Sequence, residues 1–376
     1  MLVGIIAMIG SFLVGTLGKD YLISVNAQMY GWTPTYSYSI TDSDFQDSIK
    51  MEEFFYKIRE IDDCVTITFD MRENIIFAPI VSVSSLQGAA NDIYKKVVPV
   101  DVVLTTTAYN KIYNLPMSSG SWFSYSETEK SLCMVVNKEA ESYFNTPYAV
   151  GNTGSSLSLT PFNVTGTVND GKDIPTVYLD AQAVEEFLPN MWQVQNASVY
   201  WHLTKGLTTN QMYSSLDDIL QDTIGGHIEY SGRSDIGDAY DSVLSMLQLG
   251  LLITSFLLLF VSVLGQINIG LSSLEQRTYE LLIRRAIGAS RINIVALVLG
   301  TQLVISIFVC IVSILLSILI VEGIGIFLPP DTPVASPAYP FFSAVVAVVA
   351  SVTVALLGGL LPALKAAKLE PALALR

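Results

Sequence analysis

The side chains best able to bind another macromolecule form a short charged segment within the most apolar part of the chain. Residues 274–294 read LEQRTYELLIRRAIGASRINI and hold four arginines and two glutamates, with long uncharged stretches on both sides. An arginine near the centre of a membrane helix costs about 2.5–3.5 kcal/mol, so four of them would cost about 10 kcal/mol or more. The segment is therefore predicted to lie outside the membrane, and positive charge in a short loop marks the cytoplasmic side.

Stretches long enough to cross a bilayer surround this segment. Residues 242–274, 292–321 and 332–364 contain no Asp, Glu, Lys or Arg. Each would be about 45 Å long as a helix, against a bilayer core of about 30 Å. Residues 1–18 are apolar but would span only about 27 Å. They are predicted as a further span, with a cleaved signal peptide as the alternative, and both readings place residues 19–241 outside the cytoplasm.

These stretches divide the chain into eight segments. The expected order is transmembrane helix 1 (1–18), an extracytoplasmic α/β domain with a stalk (19–241), transmembrane helix 2 (242–273), a cytoplasmic helix (274–290), transmembrane helix 3 (291–321), a short extracellular loop (322–340), transmembrane helix 4 (341–364) and a cytoplasmic tail (365–376). Two crossings separate the charged helix from the basic tail, so both fall on the same side of the membrane.

Small residues recur at helical spacing in the first and last spans. Such stripes allow transmembrane helices to approach closely. The predicted helix-packing residues are Gly4, Ala7, Ser11 and Gly15 in the first span, and Ala347, Ser351, Ala355 and Gly359 in the fourth.

The region between the first two spans alternates strand-like and helix-like segments. We expect an α/β domain with βαβ units at its two ends, an inserted subdomain at about 74–114 and a hairpin at 156–168. Acidic residues outnumber basic ones by 29 to 13 within 19–241, which makes nucleic-acid binding improbable. We interpret this acidity as a solvated surface, with binding of a cationic ligand as the minority alternative. Cys64 and Cys133 lie in this region and would be either one disulfide or two thiols.

The patterns that usually accompany catalysis are missing from the sequence. It contains no G-x-x-x-x-G-K-S/T phosphate-binding loop. Its two histidines, His202 and His227, form no H-x-x-x-H arrangement, and its three cysteines are not clustered in the sequence. The uncharged spans also lack the ionisable residues of a proton or ion relay. We therefore expect no catalytic site and no metal site in this chain, and expect any energy source to lie in another polypeptide.

The charged segment has the sequence features of a rigid helix rather than a loose loop. Residues 274–286 are predicted to be helical, with Glu280 placed four residues before Arg284. Gly288 suits a left-handed C-terminal cap and Ser290 suits the N-cap of the third span. Arg284 and Arg285 are both expected to be exposed, so that reversing their charge would cost little in folding. The alternative is a solvated loop that only sets membrane orientation.

Two motifs resemble those of a known family. LEQRTYELLIRRAIGASRINIV is similar to the E-R-x-x-E-I-G-x-x-R/K-A-I/L-G-A-S/T-R/K-x-x-I motif of MacB/FtsX-type ABC permeases, and GGLLPALKAAKLEPALALR resembles their closing P-A-x-x-A-x-x-x-x-P-x-x-A-L-R. LPMSSGSWFS, VVNKEAESYF and FNVTGTV resemble stretches of the family's extracytoplasmic domain more loosely. The family's Ile-Gly after the second glutamate is Leu281-Leu282 here. The basic helix that usually precedes the first span is also missing, as expected of a chain that starts late or of a piece of a longer permease.

The resemblance implies a permease of four spans in a bacterial cell membrane, working as a dimer with a second copy or a paralogue. It also implies a separate cytoplasmic ABC ATPase that binds ATP and Mg²⁺ and docks on the helix between spans two and three, with an adaptor protein outside and lipids around the spans. By motif match, the ATPase-coupling residues are Glu275, Arg277, Glu280, Arg284, Arg285, Gly288, Ala289 and Ser290.

Two functions fit this resemblance. The first is export or extraction of an amphiphilic, peptide or lipid-linked cargo, driven by ATPase motions that the permease relays to its outer domain. The second is a signal-relay permease that regulates a cell-wall hydrolase or senses a peptide without transporting it. A membrane-anchored binding domain acting alone would leave the charged motif of residues 274–294 unexplained.

Overall fold

The chain forms two compact units in the computed structural model. Residues 2–41, 43–61, 64–83, 96–124, 132–153, 159–203, 206–334 and 338–368 are described. The first unit comprises Met1–Asp20, Tyr240–Leu328 and Ser336–Arg376. The second comprises Tyr21–Ala239 and Pro329–Ala335.

Four helices among the described residues are long and apolar enough to cross a membrane. They are α1 (Leu2–Tyr30), α7 (Gly237–Ala286), α8 (Arg291–Phe327) and α9 (Phe341–Ala367). Helices are expected here because lipid offers no partners for backbone N–H and C=O groups, so each segment must satisfy its own.

Helix α7 joins segments that the sequence analysis treated separately. It runs unbroken for 50 residues, through the predicted second span and the charged segment. At 1.5 Å per residue it is about 75 Å long. No proline interrupts residues 237–286, so nothing removes a hydrogen bond from the helix interior. Helix α1 likewise continues to Tyr30, beyond the 18 residues of the predicted first span, so both helices have the extra length that a stalk requires.

The small residues of the first and fourth spans lie at helix contacts within the first unit. In α9, Ala347, Ser351 and Ala355 are fully buried, and the Ser351 carbonyl accepts a hydrogen bond from Ser306 Oγ of α8 at 2.6 Å. A Cβ added to Gly359 would lie 3.0 Å from the side chain of Leu299.

The stripe of the first span is less regular in its burial. Gly4 and Gly15 are buried, and a Cβ at Gly4 would overlap the Ser262 side chain of α7. Ala7 and Ser11 are only half-buried. Larger residues that sequence analysis did not select, Ile5, Ile9 and Leu13, form a cluster with Cys310 and Val321 of α8 and Ala347 of α9.

A hydrogen bond between two side chains links α7 and α8 inside this unit. Gln266 of α7 donates from Nε2 to Gln302 Oε1 of α8 at 2.8 Å. A Cβ at Gly358 of α9 would lie 2.8 Å from Gln266 Cβ, so glycine leaves room for the amide. Pro362 follows inside the same helix and removes the hydrogen bond that the Gly358 carbonyl would otherwise accept.

The second unit is built on a sheet of eleven strands with helices packed against it. The strands are β1 (Thr35–Thr41), β2 (Val65–Met71), β3 (Ile75–Ile80), β4 (Asp101–Thr105), β5 (Met117–Gly120), β6 (Cys133–Asn137), β7 (Tyr148–Thr153), β8 (Thr160–Val168), β9 (Thr176–Asp180), β10 (Val194–His202) and β11 (His227–Arg233). The helices are α2 (Ser48–Ile61), α3 (Tyr109–Ile112), α4 (Lys138–Glu141), α5 (Ala181–Phe187) and α6 (Thr209–Asp222).

One end of the sheet has the order β11-β1-β10-β2. Strand β10 is antiparallel to both β1 and β2, so β1 and β2 run parallel with β10 between them. Strands β10 and β11 are likewise parallel on either side of β1. The predicted βαβ units are therefore present as two split units, β1-α2-β2 and β10-α6-β11, that interlock.

Residues 72–193 are inserted between these two units and extend the same sheet in the order β4-β9-β6-β8-β7-β3. The insertion is longer than the predicted one at 74–114, whose described strands β3 and β4 belong to this sheet. The predicted hairpin at 156–168 is absent over residues 159–168, because β8 is a single strand from Thr160 to Val168 that pairs with β7. Residues 156–158 lie outside the described residues. Gly166 makes no turn in it. A Cβ there would lie 2.8 Å from the Ser119 carbonyl oxygen, so glycine permits the approach of β5.

Hydrophobic clusters cover both faces of the sheet. In β9, Val177 and Leu179 belong to the larger cluster, which includes Phe54 and Leu216 of the helices, while Tyr178 points to the smaller one. Cys64 packs against the first cluster and Cys133 against the second, and no disulfide joins them. The two cysteines are thiols.

Asp180 should give the second unit a pH-dependent stability. Its carboxylate caps α5 by accepting from Gln182 N at 3.1 Å, and burial raises the pKa of Asp180 from 3.8 to about 6. Between these values the folded protein binds more protons than the unfolded chain, so stability falls as pH rises through that window. Asp180→Asn keeps an acceptor oxygen but cannot titrate. As pH rises from 4 to 7, the wild type should lose this stability and Asp180→Asn should not. The thermal midpoint of the variant should therefore rise relative to that of the wild type.

Tryptophan fluorescence of the full chain in detergent measures this midpoint, because the four tryptophans all lie within the second unit. A difference that stays constant over this pH range would contradict the assignment.

Candidate functional site

The charged segment forms the last turns of α7 and a tight connection to α8. Helix α7 ends at Ala286, and Gly288 has φ of 108°, a left-handed conformation that glycine adopts without strain. Its N–H donates to the Arg285 carbonyl at 3.1 Å, and Ala289 N donates to the Arg284 carbonyl at 3.1 Å. This is the Schellman pattern of helix termination.

The next helix, α8, begins at Arg291. Ser290 is the N-cap of α8, and its side chain accepts from Asn293 N at 3.2 Å. Gly288 and Ser290 therefore have the local conformations that their residue types predict, and only four residues separate two helices of 50 and 37 residues. Such a connection leaves little freedom between the two helices.

One face of the segment packs against the neighbouring helices. Leu274 and Leu281 form a cluster with Ile294 of α8 and Ala366 of α9, and Ala289 packs against its edge. Leu282 is also buried, at 6% exposure. The Leu281-Leu282 pair, which replaces the family's Ile-Gly, therefore lies inside the protein rather than on the surface.

Arg285 is part of this packed face, and the prediction that it is fully exposed is wrong. It is half-buried, and Nη1 donates to the carbonyl of Ala367 at the end of α9, at 3.2 Å. A cation is favoured at a helix C-terminus, where the last carbonyls lack partners within the helix. The side chain thus fastens α9 to the end of α7.

The other face is exposed and charged. Arg284 donates to Glu280 Oε1 at 2.9 Å, as the four-residue spacing predicts, and about half of each side chain is exposed. Glu275 and Arg277, five and three residues before Glu280, are also exposed. An exposed pair of this kind stabilises a helix by only about 0.3–0.5 kcal/mol, so these charges are available to a partner at small cost.

Exposed apolar side chains accompany the charges. Tyr279, Ile283 and Ile287 are 67%, 40% and 82% exposed and recur every four residues, which places them along one side of the helix end. We call these three residues the outer ridge. Ile292, at the start of α8, is 78% exposed. These residues were not among the predicted site residues, which are mainly charged, although apolar residues spaced four apart in a charged helix indicate such a surface.

The fold and this site define a class of protein: a four-helix membrane subunit that carries an α/β domain and presents a packed, charged helix end. Two protein families match the chain. The MacB-like periplasmic core domain family matches residues 1–219, and the FtsX-like permease C-terminal family matches residues 252–371. The chain belongs to the MacB/FtsX-type family of ABC transporter permeases. It is therefore a membrane protein whose α/β domain is extracytoplasmic.

A curated relative is the macrolide export ATP-binding/permease protein MacB of Mannheimia succiniciproducens. It is 38% identical over 127 residues, which cover 33% of this chain and 19% of the relative. The matched stretch is thus about a fifth of the relative's length.

Two solved structures each cover just over half of this chain at low identity. The periplasmic region of MacB from Actinobacillus actinomycetemcomitans has a TM-score of 0.36 at 12% identity, covering 57% of this chain and 93% of that one. The extracellular domain of the noncanonic ABC-type transporter YknZ from Gram-positive bacteria has a TM-score of 0.32 at 10% identity, covering 52% and 100%.

Arg284 and Arg285 should differ in their effect on the end of α9. Arg285→Ala removes a charge-assisted hydrogen bond to the Ala367 carbonyl and should loosen this end, so amides in residues 363–368 should exchange with solvent several-fold faster. Arg284→Ala breaks only an exposed ion pair and should leave these amides unchanged. Hydrogen exchange of the full chain in nanodiscs, read by mass spectrometry, measures both. Equal exchange in the two variants would contradict the assigned role of Arg285.

Proposed function

We propose that this chain is the membrane subunit on which a separate cytoplasmic ABC ATPase docks, and that residues 274–290 are the docking segment. The observation that carries the proposal is the outer ridge, an exposed apolar stripe beside charged residues at the end of a 50-residue helix. Apolar anchors ringed by charge are the usual composition of a binding surface. The sequence has no phosphate-binding loop, so ATP and Mg²⁺ would be bound by the partner.

The two faces of the segment divide the work of docking and relay. Glu275, Arg277 and Glu280 with Arg284 would steer and orient the ATPase, since charges at an interface contribute specificity and association rate. The outer ridge would supply most of the affinity. Leu274, Leu281 and Arg285 would hold the segment against α8 and α9, as would the turn at Gly288, Ala289 and Ser290. A force applied to the segment would then displace α7, α8 and α9 together rather than bend a flexible loop.

The stiffness of α7 supports transmission over a distance. The helix begins at Gly237, with three residues between it and the end of the domain's last strand, and its final turns form most of the docking segment. Each residue of its interior is fixed by backbone hydrogen bonds within the helix. We infer that a displacement imposed at residues 274–290 is relayed along α7 to the extracytoplasmic domain, with a second permease copy or a paralogue completing the assembly.

Export or extraction of an amphiphilic, peptide or lipid-linked cargo is the activity we propose for this relay. The relative named for macrolide export supports an amphiphilic cargo. An apolar groove of about 240 Å³ within the first unit is consistent with it, lined by α1, α7 and α9 through Phe12, Leu251, Leu252 and Phe342. An adaptor outside the membrane would receive the cargo. The alternative is a relay that regulates a cell-wall hydrolase or senses a peptide.

The outer ridge gives the direct test of docking. The double change Ile283→Ser and Ile287→Ser removes two exposed apolar side chains and leaves every charge in place, so membrane orientation is preserved. If each contributes about 1–2 kcal/mol as an interface anchor, the affinity for the ATPase should fall about 30-fold to 1,000-fold. Binding of the co-purifying ATPase to the permease in nanodiscs measures the change.

The matched control is Ile49→Ser with Ile174→Ser, two exposed isoleucines of the extracytoplasmic domain at 79% and 56% exposure. This control should bind the ATPase with wild-type affinity. The docking proposal fails if the ridge variant also binds as tightly as wild type.

A further inference from the structure

The connection between α8 and α9 belongs to the same compact unit as the extracytoplasmic domain. Helix α8 ends at Phe327 and α9 begins at Phe341, and Pro329–Ala335 falls in the second unit with Tyr21–Ala239. The sequence predicts this stretch only as a short extracellular loop. Its contacts are long-range, reaching residues between about 160 and 220 positions away.

Asp331 is the centre of these contacts. It is 8% exposed, its carboxylate pairs with Lys138 Nζ, and Oδ2 accepts from Ser118 Oγ at 2.9 Å. Its backbone carbonyl accepts from Asn169 Nδ2 at 2.8 Å. The hydrogen bond from Lys138 also lowers the pKa of Asp331, so this contact favours the ionised carboxylate. A carboxylate this buried is stable only while such partners remain.

A second point of attachment lies two residues further on. Asn114 Nδ2 donates to the Pro333 carbonyl at 2.6 Å and lies 3.1 Å from the Ser24 carbonyl of α1. Gln28 of α1 donates to the Asn169 carbonyl at 2.9 Å. Asn114 and Asn169 therefore each contact both the connection and the outer part of α1.

The composition of the connection suits a fixed conformation. Pro329, Pro330 and Pro333 restrict φ, so less conformational entropy is lost when the segment becomes ordered. Thr332 N closes a turn by donating to the Pro329 carbonyl at 3.1 Å. This turn presents the Asp331 side chain and carbonyl to the domain together.

We propose that residues 329–334 are an anchor, held by Asp331, that ties the outer connection between α8 and α9 to the extracytoplasmic domain and to the outer part of α1. Lys138, Ser118, Asn114 and Asn169 are the receiving residues. Helices α1 and α7 lead into the domain through the chain itself, and α8 and α9 have no such covalent route. The anchor supplies them with a non-covalent connection through residues 329–334, so all four helices are connected to the domain on the extracytoplasmic side.

A disulfide tests the geometry. Ser118→Cys with Asp331→Cys, in a chain whose native cysteines at 64, 133 and 310 are replaced by alanine, should form a cross-link in nanodiscs under mild oxidation. Counting free thiols by mass-tag labelling measures the yield. Most of the protein should cross-link, and the single-cysteine variants should label fully. A double-cysteine variant with wild-type thermal unfolding and no cross-link would overturn the proposal.

A double-mutant cycle tests the anchor without new cysteines. Lys138→Met and Asp331→Asn should each lower the thermal midpoint of the full chain, measured by tryptophan fluorescence. The combined variant should lose less than the sum of the two losses, because both changes remove the same contact. The exchange Lys138→Asp with Asp331→Lys should recover part of the loss. Additive losses with no recovery would overturn the proposal. Neither measurement involves the ATPase, so failure of the docking proposal leaves both results interpretable.

Discussion

The structure depends on one constraint: a backbone inside lipid must make its hydrogen bonds within its own segment. The uncharged stretches therefore become helices, and proline-free α7 continues as a helix beyond its uncharged part at both ends. A helix that must be regular to cross the membrane is also stiff enough to carry force between its ends. The same requirement moves irregular backbone outward, to the Gly288 turn and to the connection that contains Asp331.

Polar contacts hold the ends of these helices to particular neighbouring elements. At one end of α7, Arg285 binds the last carbonyl of α9 while Leu281 packs against Ile294 of α8. The docking segment is thus fixed to two other spans and not only to its own. The proposed anchor at Asp331 does the equivalent on the extracytoplasmic domain. The proposed relay of motion would need connections of this kind between the helices and the elements at their ends.

Local chemistry predicted much of this arrangement. Uncharged length predicted the four helices, and Gly288 and Ser290 predicted their own cap conformations. The alternation of strands and helices predicted βαβ units but not that another strand lies between the two strands of each unit. The features that the sequence did not predict depend on contacts between residues far apart in the chain. Arg284 and Arg285 are adjacent and identical in type, and only the position of α9 makes one exposed and the other structural. Asp331 likewise resembles any loop aspartate until Lys138 and Asn169 are brought to it by the sheet.

The central claim, that α7 relays motion as one rigid element, is tested most directly by breaking it between its two ends. Ser272 is exposed in α7 just before the docking segment. Ser272→Pro removes a helix hydrogen bond at a cost of about 3 kcal/mol, whereas Ser272→Ala keeps the helix intact. With the ATPase bound, ATP should change the protease sensitivity of the extracytoplasmic domain in the alanine variant but not in the proline variant, although both bind the ATPase. An equal ATP response in the two variants would contradict the account.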